Sequence, residues 1–306
     1  MKIILILLQL IFFIVLAPFL SGLVAKLKNS FRMRRGQSVF QPYYNLMKLF
    51  SKGEVVSQTA SWIFKVTPFI VISSTLTVAL LVPVFILSSP LYCMSDFLAI
   101  IFIFALGRFF LALAALDTGS SFGGMGASRE MFISSLVEPA LCLVVFSISM
   151  QFGSTNIFVF SGMHAVSVSS IVAAIALFLV VIAETSRIPV DNQETHLELT
   201  MVHEAMALEY SGRSLALIEM AAHIKQMIWF FLIAQIIFPI AVLSSINLTG
   251  LFFWGLWYLA RIFIIVITVA LVEVLVAKMR LFRVADFLGF VFVLGAIATV
   301  CAILGV

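Results

Sequence analysis

The sequence predicts an all-α integral membrane protein: an eight-helix transmembrane bundle with an amphipathic helix at the membrane interface. Hydrophobic residues make up 63% of the 306 residues and charged residues only 10%, far from the averages of soluble domains. The apolar residues also form long runs, and about 20 consecutive apolar residues are needed to cross a bilayer as a helix. We expect a single polytopic membrane domain covering residues 1–306.

Eight apolar runs are long enough to span a membrane. In chain order they cover approximately residues 3–23, 66–87, 97–116, 131–151, 166–183, 226–243, 251–276 and 285–304. No small-residue cleavage site follows the first run, which predicts a retained helix and not a signal peptide.

Basic residues are distributed unevenly between the two sides of this predicted bundle. The connections after the first, third, fifth and seventh runs contain 15 of the 18 Lys and Arg residues, whereas the opposite side contains only Lys2. Loops rich in Lys and Arg stay in the cytoplasm, so both termini are predicted to face away from it.

The first cytoplasmic connection contains its own helical pattern. Gln41, Asn45, Lys48 and Lys52 recur at spacings of four, three and four residues, with aromatic and apolar residues between them. This pattern predicts a helix lying in the membrane interface over residues 40–50. The basic cluster before it suits anionic lipid headgroups, and a ramp for a lipid-soluble substrate fits the same spacing.

Half of the chain's carboxylates and most of its histidines are concentrated in one cytoplasmic segment, residues 183–214, and the helix that follows it. Residues 184–223 contain three of the four histidines and seven of the 14 carboxylates. These carboxylates are Glu184, Asp191, Glu194, Glu198, Glu204, Glu209 and Glu219. Ionisable groups next to a bilayer often mark ion paths or docking sites, although a loop can be acidic simply because it is solvated.

Pro189 is expected to end the fifth helix, with Glu184 and Arg187 at the helix end and Asp191 or Asn192 capping a new helix. On that new helix, Glu194, Glu198 and Glu209 would share one side, and His196 and His203 the opposite side. Carboxylates four residues apart raise each other's proton affinity, as a proton relay requires, unless solvent or arginines cancel the effect. A metal site is the weaker interpretation, because these histidines lack the spacing of known helical sites.

Four charged residues are predicted to lie inside the bilayer. Arg108 and Glu138 fall at similar depths on the third and fourth helices, about 12 Å from the cytoplasmic side, so they can meet. A structural ion pair and a proton relay are equally good interpretations of that pair. Arg261 and Glu273 lie twelve residues apart on the seventh helix, and both are expected to face the bundle interior.

The sequence offers no means of carrying electrons or binding nucleotides. Cys93, Cys142 and Cys301 are far apart and form no CxxC spacing, so no iron–sulfur cluster is expected in this chain. The segment SSFGGMGASRE, which Arg129 closes, is expected to form a loop between the third and fourth helices. Its glycines allow close backbone approach but match no phosphate-binding pattern. No basic face suited to nucleic acid is present.

Several of these motifs resemble a known family. ETSRIPVD resembles the loop motif of the quinone-channel subunit of respiratory complex I, and FRMRRGQSVFQPYYNLMKLF is similar to that family's first loop. The continuation DNQETHLELTMVHEAMALEYSGRS, with ALDTGSSFGGMGASRE and VEP, is more similar to the related membrane subunit of group 4 membrane-bound hydrogenases. Hydrogenase-4 component C and formate hydrogenlyase subunit 4 represent that group. The resemblance covers nearly the whole chain.

The resemblance implies a non-catalytic membrane subunit in the cytoplasmic (inner) membrane of a bacterium or archaeon. Such a subunit anchors a hydrogenase-like large subunit and an iron–sulfur small subunit, and it lies beside antiporter-like membrane subunits and membrane lipids. Iron–sulfur clusters and nickel–iron would belong to the partners. Glu184, Arg187 and Asp191 match the loop motif, and Arg129 and Glu138 match the third-loop and fourth-helix positions.

Two alternatives differ in the chemistry they require. A quinone-binding subunit of a complex I-type quinone reductase belongs to the same family, but this chain departs from the complex I pattern after Asp191. An autonomous secondary ion transporter would need repeated halves with broken helices, and no such repeat is found in the sequence.

Overall fold

The computed structural model describes residues 2–57, 59–83, 94–160, 167–192, 201–238 and 248–305. Within these ranges the regular secondary structure is helical, apart from one isolated antiparallel bridge between Asp96 and Asn156. The helices are α1 (Lys2–Phe31), α2 (Gln41–Ser51), α3 (Trp62–Leu81), α4 (Phe97–Asp117), α5 (Ser121–Phe152), α6 (Ile157–Phe160), α7 (Val168–Glu184), α8 (His203–Ala207), α9 (Gly212–Ile237), α10 (Leu248–Leu275) and α11 (Leu281–Leu304).

Seven helices in the described ranges are long and apolar enough to cross a membrane. They are α1, α3, α4, α5, α9, α10 and α11. The apolar α7 corresponds to the fifth predicted run but has 17 residues. The all-helical, multi-pass architecture is therefore confirmed, whereas the count of eight spans stays a prediction.

Two helices begin at least ten residues earlier than hydropathy predicts. α5 begins at Ser121, ten residues before the predicted run, and α9 begins at Gly212, fourteen residues before its run. A helix continues through glycines and charges as long as its backbone is hydrogen-bonded, and the Ser120 hydroxyl caps α5 by accepting from Gly123 N at 3.2 Å. The glycine-rich segment and Arg129 are thus helical, and the prediction that they form a loop is wrong.

α9 lies at the centre of the bundle, and its Trp229, Phe230 and Phe231 are completely buried. α1, α3 and α7 pack around it, while α5 packs against α4, α7 and α11. Because lipid is as apolar as these side chains, close van der Waals packing holds such helices together more than exclusion of water does. Gly295 on α11 illustrates this, since a Cβ there would lie 3.2 Å from the Leu143 Cβ of α5.

The helix predicted over residues 40–50 is present as α2, whereas its position in the membrane interface stays a prediction. Its buried residues, Pro42 and Leu46, face the bundle, whereas Tyr44 and Met47 are exposed. α2 packs against α1 and α9, and a Cβ on Gly22 of α1 would overlap the Val39 carbonyl oxygen at 2.0 Å. The absence of a side chain at Gly22 therefore lets the first connection fold back onto α1.

Candidate functional site

A cavity of about 830 Å³ lies where α1, α2, α3, α4, α5, α7, α9 and α10 meet residues 185–192 and 201–210. Ten charged side chains and two histidines line it, an unusual concentration for a protein with so few charges. The charged residues are Lys28, Arg108, Glu130, Glu184, Arg187, Asp191, Glu204, Glu219, Lys225 and Glu273. Six are acidic and four are basic, so the lining has excess formal negative charge.

The end of α7 positions the first two of these residues. Ser186 adopts a left-handed conformation with φ of 50°, Ser186 N donates to Ala183 O at 3.1 Å, and Arg187 N donates to Ile182 O at 3.0 Å. This pair of bonds is a Schellman motif, which ends a helix and reverses the chain. Arg187 therefore lies just beyond the helix and turns inward, while Glu184 remains its last residue.

Glu184 joins two cations from different helices. Its Oε1 lies 2.8 Å from Arg108 Nη1 of α4, and its Oε2 lies 2.7 Å from Lys225 Nζ of α9. Arg108 also donates to the Ser134 hydroxyl at 2.9 Å. Because Glu184 is buried, it needs this compensation, and the pairs connect α4, α7 and α9.

The structure confirms that Arg108 and Glu138 meet, with Arg108 Nη2 3.5 Å from Glu138 Oε1. The Glu138 side chain is 42% exposed on the outer surface, compared with 1% for Glu184. Glu184 is therefore the closer and more deeply buried partner of Arg108. Comparing the depths of charged residues along their own helices does not predict this pair.

Removing Arg108 is expected to be strongly destabilising, because Glu184 would keep only one of its two buried cationic partners. A buried ion pair broken from one side typically costs about 3 to 5 kcal/mol. In double-mutant cycles that combine Arg108→Ala with Glu184→Gln or Glu138→Gln, measured on unfolding free energy, the Glu184 cycle should show the larger coupling. Equal coupling in both cycles would contradict this assignment, and zero coupling to Glu138 would show that the 3.5 Å contact contributes nothing.

A second cluster is centred on Glu273 of α10. Its Oε1 accepts from Arg187 Nη1, and its Oε2 lies 3.0 Å from Lys28 Nζ of α1. Arg187 also donates to the Gln226 side chain at 2.8 Å, and the Ser21 hydroxyl donates to the same oxygen at 3.0 Å. Glu273 and Arg187 are buried, so this cluster links the segment after α7 to α1, α9 and α10.

Asp191 holds two parts of the segment 183–214 in place. One carboxylate oxygen lies 2.7 Å from Lys278 Nζ, and the other accepts from Val202 N at 3.0 Å. Met279 N also donates to Pro189 O at 2.9 Å, and Arg129 donates to Met201 O at 3.0 Å. These contacts hold residues 189–191 and 201–202 against α5 and the connection between α10 and α11.

Two titratable groups of α8 have perturbed pKa values. Burial, with the nearby charges of Asp191 and Glu219, raises the pKa of Glu204 to about 7. Burial lowers the pKa of His203 below its usual value, although Glu130, whose Oε1 lies 4.0 Å from His203 Nδ1, acts in the opposite direction. A carboxyl group that titrates near neutral pH can exchange a proton at physiological pH.

The raised pKa of Glu204 predicts a pH dependence of stability. Since its pKa lies above the unfolded value of 4.5, Glu204 favours the folded state most below that value, and the contribution is lost as pH rises through about 7. The thermal unfolding midpoint of the wild type should therefore fall between about pH 5 and pH 8 by more than that of Glu204→Gln. Parallel pH profiles for the two proteins would contradict the raised pKa.

The structure brings together only part of the predicted set. Arg108, Glu184, Arg187, Asp191, Glu204 and Glu273 line the one cavity, and Glu138 touches it through Arg108. Glu194, Glu198 and His196 lie outside the described residues. Glu209 is exposed and Arg129 binds a backbone carbonyl, so neither lines the cavity.

The predicted continuous helix up to Glu209 is wrong at its C-terminal end. Met201 and Val202 are not helical, and α8 covers only His203–Ala207. The Asp191 carboxylate accepts from Val202 N, a tertiary bond that periodicity in the sequence does not reveal.

Arg261 is buried as expected, but it does not line the cavity. It donates to Phe238 O at 2.8 Å and to the Gln235 side chain at 3.3 Å, beside the C-terminal end of α9. The free carbonyls of a helix C-terminus attract cations. Arg261 therefore stabilises the end of α9, some distance from the Glu273 cluster on its own helix.

Sequence reasoning missed Lys28, Lys225 and Gln226 as site residues. Lys28 and Lys225 are among the basic residues that hydropathy assigns to the cytoplasmic connections, but α1 and α9 extend far enough to carry them into the cavity. The spacing of Glu219, His223 and Gln226, four and then three residues, was an available signal, since it places them on one face of a helix.

The fold and the site together define a multi-pass helical membrane protein that encloses a charged cavity beside one polar connecting segment. Comparison with known proteins assigns the chain to a family. The family model described as NADH dehydrogenase matches residues 2–304.

Three relatives are similar in sequence. Hydrogenase-4 component C of Escherichia coli is 31% identical over 95% of this chain and 93% of its own, and formate hydrogenlyase subunit 4 of the same organism is 30% identical over 90% of each. NADH-quinone oxidoreductase subunit 8 of Rhodothermus marinus is 24% identical over 65% of this chain and 60% of its own.

A solved structure has the same fold. A chain of the membrane-bound sulfane sulfur reductase, an archaeal respiratory membrane complex, superposes with a TM-score of 0.82, covering 98% of this chain and 99% of that one at 18% identity. This chain belongs to the NADH dehydrogenase family and is homologous to the membrane subunits of group 4 hydrogenases and to subunit 1 of complex I.

Proposed function

We propose that this chain is the membrane-anchoring and coupling subunit of a group 4 hydrogenase-like complex, in which it links redox chemistry in a peripheral arm to proton or sodium translocation. The observation that carries the proposal is that the charged residues share one cavity. Asp191 and Glu204 of the segment 183–214 and Arg108 on α4 all line it, and these charged lining residues are here called the charged network.

The charged network suits coupling because its ion pairs rearrange when a charge near them changes. A change in charge on a docked peripheral arm would alter the pairing of the segment 183–214, and the Lys278–Asp191 pair is accessible to such a change because 26% of the lysine side chain is exposed. Glu184 and Glu273 each balance two cations. A shift of Arg187, which lies just after α7 and pairs with Glu273, therefore redistributes charge within the bundle. The proposal places the redox cofactors, iron–sulfur clusters and nickel–iron, in the large and small partner subunits.

The Arg108–Glu138 pair lies where a neighbouring membrane subunit can contact the charged network. A pocket of about 350 Å³ opens on the surface between α4 and α5, and Arg108, Ser134 and Glu138 line it among apolar side chains. A half-exposed carboxylate surrounded by Phe102 and Phe109 is costly against lipid. Within the proposal, an antiporter-like subunit covers this pocket and receives the charge signal through Glu138.

The proposal includes eight spans in one domain, with both termini away from the cytoplasm of a bacterium or archaeon. The length of α7 supports the eighth span, because 17 helical residues rise about 26 Å and the hydrocarbon core is about 30 Å thick.

A quinone-binding subunit of a complex I-type reductase is the second candidate. The cavity favours it in one respect, because Val71, Phe104 and Leu111 give it an apolar wall and Asn45 of the interfacial α2 lines it as well. Photolabelling with a quinone analogue would separate the two functions, since label at Phe104 or Asn45 supports quinone binding.

The decisive experiment is purification of the chain from its native membranes followed by identification of the proteins that accompany it. The proposal expects a hydrogenase-like large subunit, an iron–sulfur subunit and antiporter-like subunits. A chain that purifies alone and moves ions by itself in vesicles would overturn the proposal and establish an autonomous transporter.

A further inference from the structure

The first connection and α2 also present an exposed surface that does not line the charged cavity. Residues 1–53 contain no Asp or Glu, yet they contain eight Lys and Arg residues. One of these, Lys28, is buried against Glu273, whereas five others are exposed. The exposed residues, here called the basic rim, are Lys26, Arg34, Arg35, Lys48 and Lys52.

An apolar stripe lies beside the basic rim. Phe40, Tyr44, Met47 and Phe50 of the α2 region are between 45% and 69% exposed, and Met47 is the most exposed of the four. An interfacial helix with this composition buries its apolar face about 5 to 10 Å into the boundary between headgroups and acyl chains.

Contacts between α2 and α1 fix the relative depth of the two features. The Phe40 ring centroid lies 6.0 Å from that of Phe19, and the Tyr43 hydroxyl donates to Val15 O. Phe19 and Val15 precede Lys26 by seven and eleven residues, so they lie about 10 and 16 Å deeper along α1. Phe40 and Tyr43, at the start of α2, are therefore at acyl-chain depth, while Lys26 of the basic rim is at headgroup depth.

We infer that the basic rim and the apolar stripe form a binding site for anionic phospholipid, with the phosphate held by the basic rim and the acyl chains against the stripe. Charge complementarity selects the anionic headgroup, because each Lys or Arg near an anionic leaflet contributes about 1 kcal/mol of attraction. The depth difference of about 10 Å between Phe40 and Lys26 favours a lipid over a soluble acidic partner, since it matches one amphiphile that is polar at one end and apolar at the other.

The test measures lipid binding by the purified protein in mixed micelles. Dioleoyl phosphatidylglycerol is titrated, and the thermal unfolding midpoint reports saturation. The variants Arg34→Gln/Arg35→Gln and Lys48→Gln/Lys52→Gln should each need about 30-fold more phosphatidylglycerol, which is the effect of roughly 1 kcal/mol for each of two basic residues. The control Arg280→Gln/Arg283→Gln removes two exposed charges from the connection between α10 and α11 and should bind like the wild type.

Three outcomes would overturn the inference. These are equal phosphatidylglycerol affinity in the rim variants and the control, equal stabilisation by phosphatidylcholine, and equal stabilisation by free glycerol phosphate, which would indicate a soluble-anion site. A photo-crosslinker placed at Met47 in native membranes tests the occupant directly. Lipid adducts support the site, whereas adducts only to a protein subunit contradict it.

Discussion

Replacing Glu273 with Gln should lower the free energy of unfolding by about 3 to 5 kcal/mol, because the change leaves two buried cations, Arg187 and Lys28, without their shared counter-charge. A glutamine keeps the volume and can still accept one hydrogen bond, so the loss reports the charge. The measurement is reversible unfolding of the purified protein in a fixed detergent, with denaturant midpoint and slope compared between variants.

Asp286→Asn is the matched control, since it also removes one carboxylate near the same side of the bundle, but from an exposed position. Its effect should stay within about 0.5 kcal/mol. Combining Glu273→Gln with Lys28→Met removes one of the two stranded cations and should recover part of the lost stability. If Glu273→Gln unfolds at the wild-type midpoint, the Glu273 cluster contributes no stability.

Replacing Glu184, Glu194 or Glu198 with Gln should reduce ion translocation by about tenfold or more while redox turnover in the partner subunits changes by less than about twofold. The reason is chemical, because Glu→Gln removes a titratable group that can pass or attract a proton and leaves electron-carrying partners untouched. The complex would be reconstituted in vesicles, and redox turnover and ion movement would be measured on the same preparation.

For Glu184 the expectation has structural support. Glu184 bridges Arg108 and Lys225, so neutralising it changes the charge balance at the point where α4, α7 and α9 meet. Asp286→Asn again serves as the control. Unaltered ion movement in all three variants would refute the coupling role, and loss of assembly in them would indicate that these acids only dock the peripheral arm.

The sequence by itself determined the class of protein, because long apolar runs can be accommodated only as membrane helices. It also predicted α2 from its polar spacing, since such local periodicity reflects one helix against one interface. Intramembrane Arg108, Glu138, Arg261 and Glu273 were identifiable because a charge inside an apolar run is conspicuous in the sequence.

Only the tertiary structure decided which charges pair. Arg108 lies 76 residues from Glu184 in the chain, and Arg187 lies 86 residues from Glu273, so helix packing alone brings them into contact. Arg261 was identifiable as buried, but its role at the end of α9 depends on where Phe238 comes to lie. Periodicity reports the direction of a side chain around its own helix, whereas an ion pair depends on the distance and rotation between two helices, which the packing of the whole bundle sets.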